Sequence, residues 1–152
     1  MKTFLTTIAL IAALQLTAAA LPTANTPCND DPTAHKLTVR VDNVKTRQGT
    51  VNVAIYTAET AATGSAYRKV RLVIPATGEI EVNFEDLPAG RYAVRMFQDV
   101  NSNLKLDFTG PFPTEPFGFS NKTSLLGGFS FEKNSFAVET DKTVTVTLVS
   151  LN

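Results

Sequence analysis

Apolar and polar residues alternate along most of this chain. Leu37, Val39 and Val41 are interleaved with Thr38, Arg40 and Asp42, and Val51, Val53 and Ile55 with Asn52 and Ala54. The same period returns at Val70 to Ile74, at Ile80, Val82 and Phe84, at Tyr92, Val94 and Met96, and at Val144, Val146 and Leu148. Side chains on a strand point alternately to its two faces, so a period of two marks a half-buried strand. No segment beyond the first twenty residues keeps a helical period over three turns. Turn signals such as Arg47-Gln48-Gly49 and Leu87-Pro88-Ala89-Gly90 separate the runs. The pattern predicts an all-β fold, an antiparallel β-sandwich of about seven strands. Its core should hold Leu37, Val39, Val41, Val53, Ile55, Val82, Tyr92, Val94, Val144, Val146 and Leu148.

Residues 98–134 break the rhythm. This stretch is far too long for a hairpin connection and is rich in Pro and Gly, including Gly110, Pro111, Pro113, Pro116 and Gly118. Six of the ten phenylalanines lie in it: Phe108, Phe112, Phe117, Phe119, Phe129 and Phe131. Disordered segments are poor in aromatics, so an ordered loop insert folded onto the end of the sandwich is expected. Its rings either close one end of the core or form an exposed binding surface; Phe112, Phe117, Phe119 and Asn121 are the candidate ligand-binding residues.

At the start of the insert, oxygen-bearing side chains occur at every second position: Asp99, Asn101 and Asn103, followed by Asp107. With the carbonyl of Lys105, these occupy positions 1, 3, 5, 9 and 7 of an EF-hand-type loop, in which a hard cation such as Ca²⁺ collects six to eight oxygens. Glu115 could add a further carboxylate. Leu104 stands where that loop needs a turn-forming Gly, and Gly110 where it needs a bidentate Glu. The bland alternative is a turn, because Asp and Asn bond their own backbone and tolerate left-handed conformations.

Met1-Lys2, the apolar run Phe4 to Leu16 and the small residues Thr17 to Ala20 read as a secretory signal peptide over residues 1–20, cut after Ala20 or Ala24. The run is too short to span a bilayer, so the expected location is secreted or periplasmic with no membrane span after cleavage. Residues 21–34, with three prolines and little apolar periodicity, read as a tether, and the domain is expected over 35–152. Removing residues 1–20 takes Lys2 from fourteen basic residues and nothing from fourteen acidic ones, leaving thirteen against fourteen. That balance, without a basic patch interleaved with aromatics, argues against nucleic acid. Cys28 is alone, so no internal disulfide is available.

The run Ile80-Glu81-Val82-Asn83-Phe84-Glu85-Asp86-Leu87-Pro88-Ala89-Gly90-Arg91-Tyr92-Ala93-Val94 resembles the strand, Leu-Pro-x-Gly turn and Tyr-bearing strand of transthyretin-like and Cna-B-like bacterial sandwiches. Taken with Phe97 to Asp107, Phe117-Gly118-Phe119-Ser120-Asn121 and Phe129-Ser130-Phe131-Glu132, it is similar to exported bacterial proteins grouped as domain of unknown function 2141. That resemblance, over about His35 to Leu148, implies an exported Ig-like or prealbumin-like β-sandwich and no established activity. Members often carry Gly where this chain has Leu104, which puts a strict EF-hand-like turn in doubt.

Enzyme chemistry lacks parts. The only histidine, His35, sits at the end of the tether, and one His with one Cys offers no zinc spacing. Asp99 with Asp107 or Glu115 could be drawn as an acid and base pair, but nothing apolar between Asp99 and Asn103 would raise one of them. The leading expectation is therefore a non-enzymatic exported domain, Ca²⁺-stabilised, that binds a glycan or protein through its aromatic loop. A purely structural envelope module is the alternative, and a carboxylate-dependent hydrolase the third reading.

Overall fold

The computed structural model describes residues 33–122 and 128–151. The expected signal peptide and nearly all of the tether, with Cys28, fall outside the described residues.

Each alternating run forms a strand: β1 Ala34–Asp42, β2 Thr50–Tyr56, β3 Arg68–Val73, β4 Ile80–Pro88, β5 Gly90–Asp99 and β10 Lys142–Thr147. The insert and the segment after it supply shorter pieces: β6 Phe108–Thr109, β7 Phe112–Pro113, β8 Phe117–Phe119 and β9 Ser135–Val138. The helices among the described residues are short, α1 Ala58–Thr63 and α2 Phe131–Asn134. Thr57 and Thr60 cap the first turn of α1 reciprocally, and Gly64 ends it at φ 74°.

Two sheets share one core. One has the order β10-β1-β4; the other has β3-β2-β5-β8, with β9 also on β5. A separate two-stranded ribbon joins β6 to β7. All ladders are antiparallel except β1–β10, which is parallel from Leu37 opposite Lys142 to Asp42 opposite Thr147. The expectation of a wholly antiparallel arrangement fails at that one ladder, because strand direction leaves no trace in an alternating pattern. The count also exceeds seven, since β8 and β9 extend the second sheet as three- and four-residue pieces too short for a period.

Burial follows the alternation. Of the eleven residues expected in the core, ten are buried and Val144 is half-buried, packed against the rest. Burying these side chains is the main favourable term in the fold, at about 1.5–3 kcal/mol for each Val, Leu, Ile or Phe. At the β4–β5 turn the Tyr92 hydroxyl donates to the Pro88 carbonyl at 2.8 Å. This bond lets the phenol stay buried with its polar end satisfied. At the opposite end of β5, the fully buried Gln98 side chain donates to the Thr46 and Gln48 carbonyls at 2.6 and 2.9 Å, which fixes the β1–β2 connection.

Candidate functional site

The oxygen-rich segment leaves β5 at Asp99, whose side chain is fully buried. Asp99 accepts the Asn103 amide on Oδ1 at 3.0 Å and the Leu104 amide on Oδ2 at 2.8 Å. Asn101 Oδ1 takes the Asn103 amide at 3.1 Å, and Asn103 Oδ1 takes the Lys105 amide at 2.9 Å. These Asx bonds wind the loop through two left-handed residues, Ser102 at φ 60° and Leu104 at φ 72°. The buried Glu115 carboxylate receives the Val100 amide at 2.8 Å and the Asp107 amide at 3.3 Å, so it clamps both ends of the loop.

The candidate ligand residues thus come together, but through hydrogen bonds. The side-chain amides of Asn101 and Asn103 turn their nitrogens to Asp107, at 2.7 Å and at 2.8 and 2.9 Å. A cation coordinated there would need oxygens in those places. The Asn oxygens are committed to backbone amides, so flipping the amide groups would break the turns. Asp107 is held below the ordinary carboxylate range, first by the bond from Asn103 and then by that from Asn101, with the Lys105 charge adding to it. Among the described residues, no group of three or more His, Cys, Asp or Glu side chains is placed to hold a metal ion. For the hydrolase reading, Asp99, Asp107 and Glu115 are each occupied by N–H donors of this same loop.

The aromatic candidates divide. Phe117 and Phe119 are buried, with ring centroids 5.7 Å apart, and Phe119 continues to Phe129 and Tyr56 through contacts of 5.5 and 5.3 Å. On β8 they lie in register beside Phe97 and Arg95 of β5, and their burial removes them from an exposed surface. Gly118 between them lets β8 lie against β10, since a Cβ there would meet the Thr147 oxygen at 2.4 Å. Asn121 is spent on the Ser135 carbonyl at 2.9 Å. Only Phe112, on the β6–β7 ribbon and 63 % exposed, remains open to solvent.

A larger feature lies beside the loop. The outward residues of β2, β3 and β5 form the floor of an open cleft of about 1050 Å³. Leu104, Leu106 and Phe108 make one wall, and the segment from Gly64 to Arg68 the other. Across the floor Ala54 pairs with Lys69 on one side and Arg95 on the other, and Asn52 pairs likewise with Arg71 and Phe97. Arg71 bonds the Asn52 oxygen at 2.9 Å. Among the described residues, no carboxylate lines the cleft. Sequence reading did not single out Lys69, Arg71 and Arg95. The usable signal was the absence of Asp and Glu from the outward positions Asn52, Ala54, Lys69, Arg71, Arg95 and Phe97, but it needs the strand order to be seen.

The fold and loop define an all-β domain in which two sheets share a core and an ordered insert overhangs one outer face. The sequence profile of an uncharacterised protein family conserved in bacteria, domain of unknown function 2141, matches residues 39–147, and the chain belongs to that family. Comparison with curated proteins and with solved structures returns no match. Among the described residues, no helix is long and apolar enough to cross a membrane.

Proposed function

We propose that this chain is an exported, non-enzymatic binding domain of Ig-like sandwich architecture that takes its ligand in the cleft over β3, β2 and β5. Export rests on the signal-peptide pattern of residues 1–20. The observation that carries the binding reading is the loop from Asp99 to Phe108, which stands its apolar side chains beside a cationic floor instead of folding them into the core. A concave surface with apolar walls and a few polar groups is the usual form of a ligand site. In this reading the hydrogen-bonded Asp and Asn residues hold the wall in place, the role first considered for Ca²⁺. The glycan or protein partner expected from the sequence would meet this cleft and Phe112 rather than Phe117 and Phe119.

The test is thermal denaturation against three ligand classes: neutral oligosaccharides, acidic oligosaccharides and anionic amphiphiles. Ala54→Trp, which fills the floor without touching the core, serves as the blocked control. A class that raises Tm of the unmodified protein and leaves the blocked variant unmoved supports the reading. If none does so, the structural-module reading is preferred; the burial of Phe117 and Phe119 within the second sheet favours that second reading.

A further inference from the structure

The outer faces of the two sheets treat their cations differently. On β1 and β4, Arg40 lies 2.9 Å from Glu81 and Lys36 lies 3.1 Å from Glu85, and Glu79, just before β4, lies 3.5 Å from Arg40. On β3 and β5, among the described residues, neither Lys69 nor Arg95 has a carboxylate partner, and Arg71 bonds only the neutral Asn52. Lys69 and Arg95 flank Ala54, which places their strands about 10 Å apart across one small side chain. Both side chains are long enough to swing over the Ala54 methyl. Like charges gathered on one sheet face repel, and an anion seated among them removes that repulsion.

The wall adds a second, independent observation. Leu104 has φ 72°, a left-handed conformation that is strained for a branched side chain and natural for Gly. Its side chain is also 57 % exposed, so it contributes little to the core. Phe108, further along the same wall, is 55 % exposed. Backbone strain that supports no packing points to a use for the side chain. What Leu104, Leu106 and Phe108 face is the cationic floor.

Resting on the binding reading above, we infer that the cleft takes an anionic amphiphile: one phosphate or carboxylate group set among Lys69, Arg71 and Arg95, with an alkyl body laid along Leu104, Leu106 and Phe108. A glycan acid would use the floor and waste the leucines of the wall. A neutral lipid would use the wall and leave three cations unanswered.

Titration calorimetry with dodecyl phosphate, kept below its micelle concentration, tests the inference against inorganic phosphate and uncharged dodecyl maltoside. Dodecyl phosphate should bind once per chain, and each control more weakly by at least about tenfold, the worth of one lost charge-assisted bond or of the lost apolar contact. Lys69→Gln with Arg95→Gln should weaken it similarly. Leu104→Gly should weaken it while raising Tm, because the strain disappears with the side chain. Equal binding of either control, unchanged binding in Leu104→Gly, or binding only to anionic phosphatidylglycerol vesicles and not to the monomer overturns the inference. If an acidic oligosaccharide binds and is blocked by Ala54→Trp while dodecyl phosphate does not bind, the inference fails and the binding reading stands. If nothing binds, both fail.

Discussion

The Asn103 side chain sets its amide nitrogen against both carboxylate oxygens of Asp107, at 2.9 and 2.8 Å, while its own oxygen holds the Lys105 amide. One neutral side chain thereby answers a charge and closes a turn. Asn103→Ala removes both interactions from an exposed site and should destabilise the domain by about 1 kcal/mol. Urea denaturation at neutral pH measures it.

The same geometry bears on Ca²⁺. With amide nitrogens turned toward Asp107, Tm in millimolar Ca²⁺ and in chelator should agree within about a degree. A site with a dissociation constant near 0.1 mM would instead give roughly 1.4 kcal/mol at 1 mM Ca²⁺ and a shift of a few degrees. A shift that large, abolished by both Asp99→Ala and Asp107→Ala, would support the cation reading.

Acid should loosen the loop before the core. Because hydrogen bonds from Asn103 and Asn101 lower the Asp107 value, its contribution is fully present above the unfolded value of about 3.9 and is lost as pH falls through the lower folded value. Asn103→Ala should move the NMR titration of the Asp107 carboxyl carbon upward toward the ordinary range. An unmoved titration would mean that the bond is not formed in solution.

Gly49→Ala should be among the most damaging exposed-loop changes. Gly49 has φ 74°, and an added Cβ would stand 1.9 Å from the Asp99 carbonyl oxygen, a rigid backbone atom. Overpacking together with left-handed strain should cost about 3 kcal/mol. Chemical denaturation gives the value, and a cost no greater than that of Gly64→Ala, which meets nothing within 4 Å, would contradict it.

Val94→Asp should prevent stable folding. Val94 is fully buried at the centre of the core, and an unpaired carboxylate there costs more than about 4 kcal/mol. Loss of the cooperative melting transition is the expected outcome.

The long strands were legible because period two records burial directly. The six runs from Leu37 to Leu148 became β1 to β5 and β10, within a few residues at each end. The order of those strands was not legible, and with it went the cleft. Lys69, Ala54 and Arg95 are separated by up to forty-one residues and become neighbours only through the β3-β2-β5 arrangement. In the loop, the spacing of Asp99, Asn101, Asn103 and Asp107 marks residues that hydrogen bonds bring together. Spacing does not say which end of an Asn amide faces inward, and the backbone amides freed by Ser102 and Leu104 decide that. Phe117 and Phe119 were ambiguous because a three-residue strand buried on both sides looks like a loop motif.

The parallel register of β1 and β10 has a mechanical side. Both strands run the same way, so the start of β1 and the end of β10 lie at opposite poles of the first sheet. A pull applied between those two points drags the neighbours past each other along their length. The ladder from Leu37–Lys142 to Asp42–Thr147, continued by the Leu148 amide on the Asp42 carbonyl and the Asn43 side chain on the Leu148 carbonyl, would then be loaded in shear. Its hydrogen bonds share that load and must break together instead of one after another, so a domain tethered at one pole and pulled from the other resists extension far better than a hairpin opened from its end.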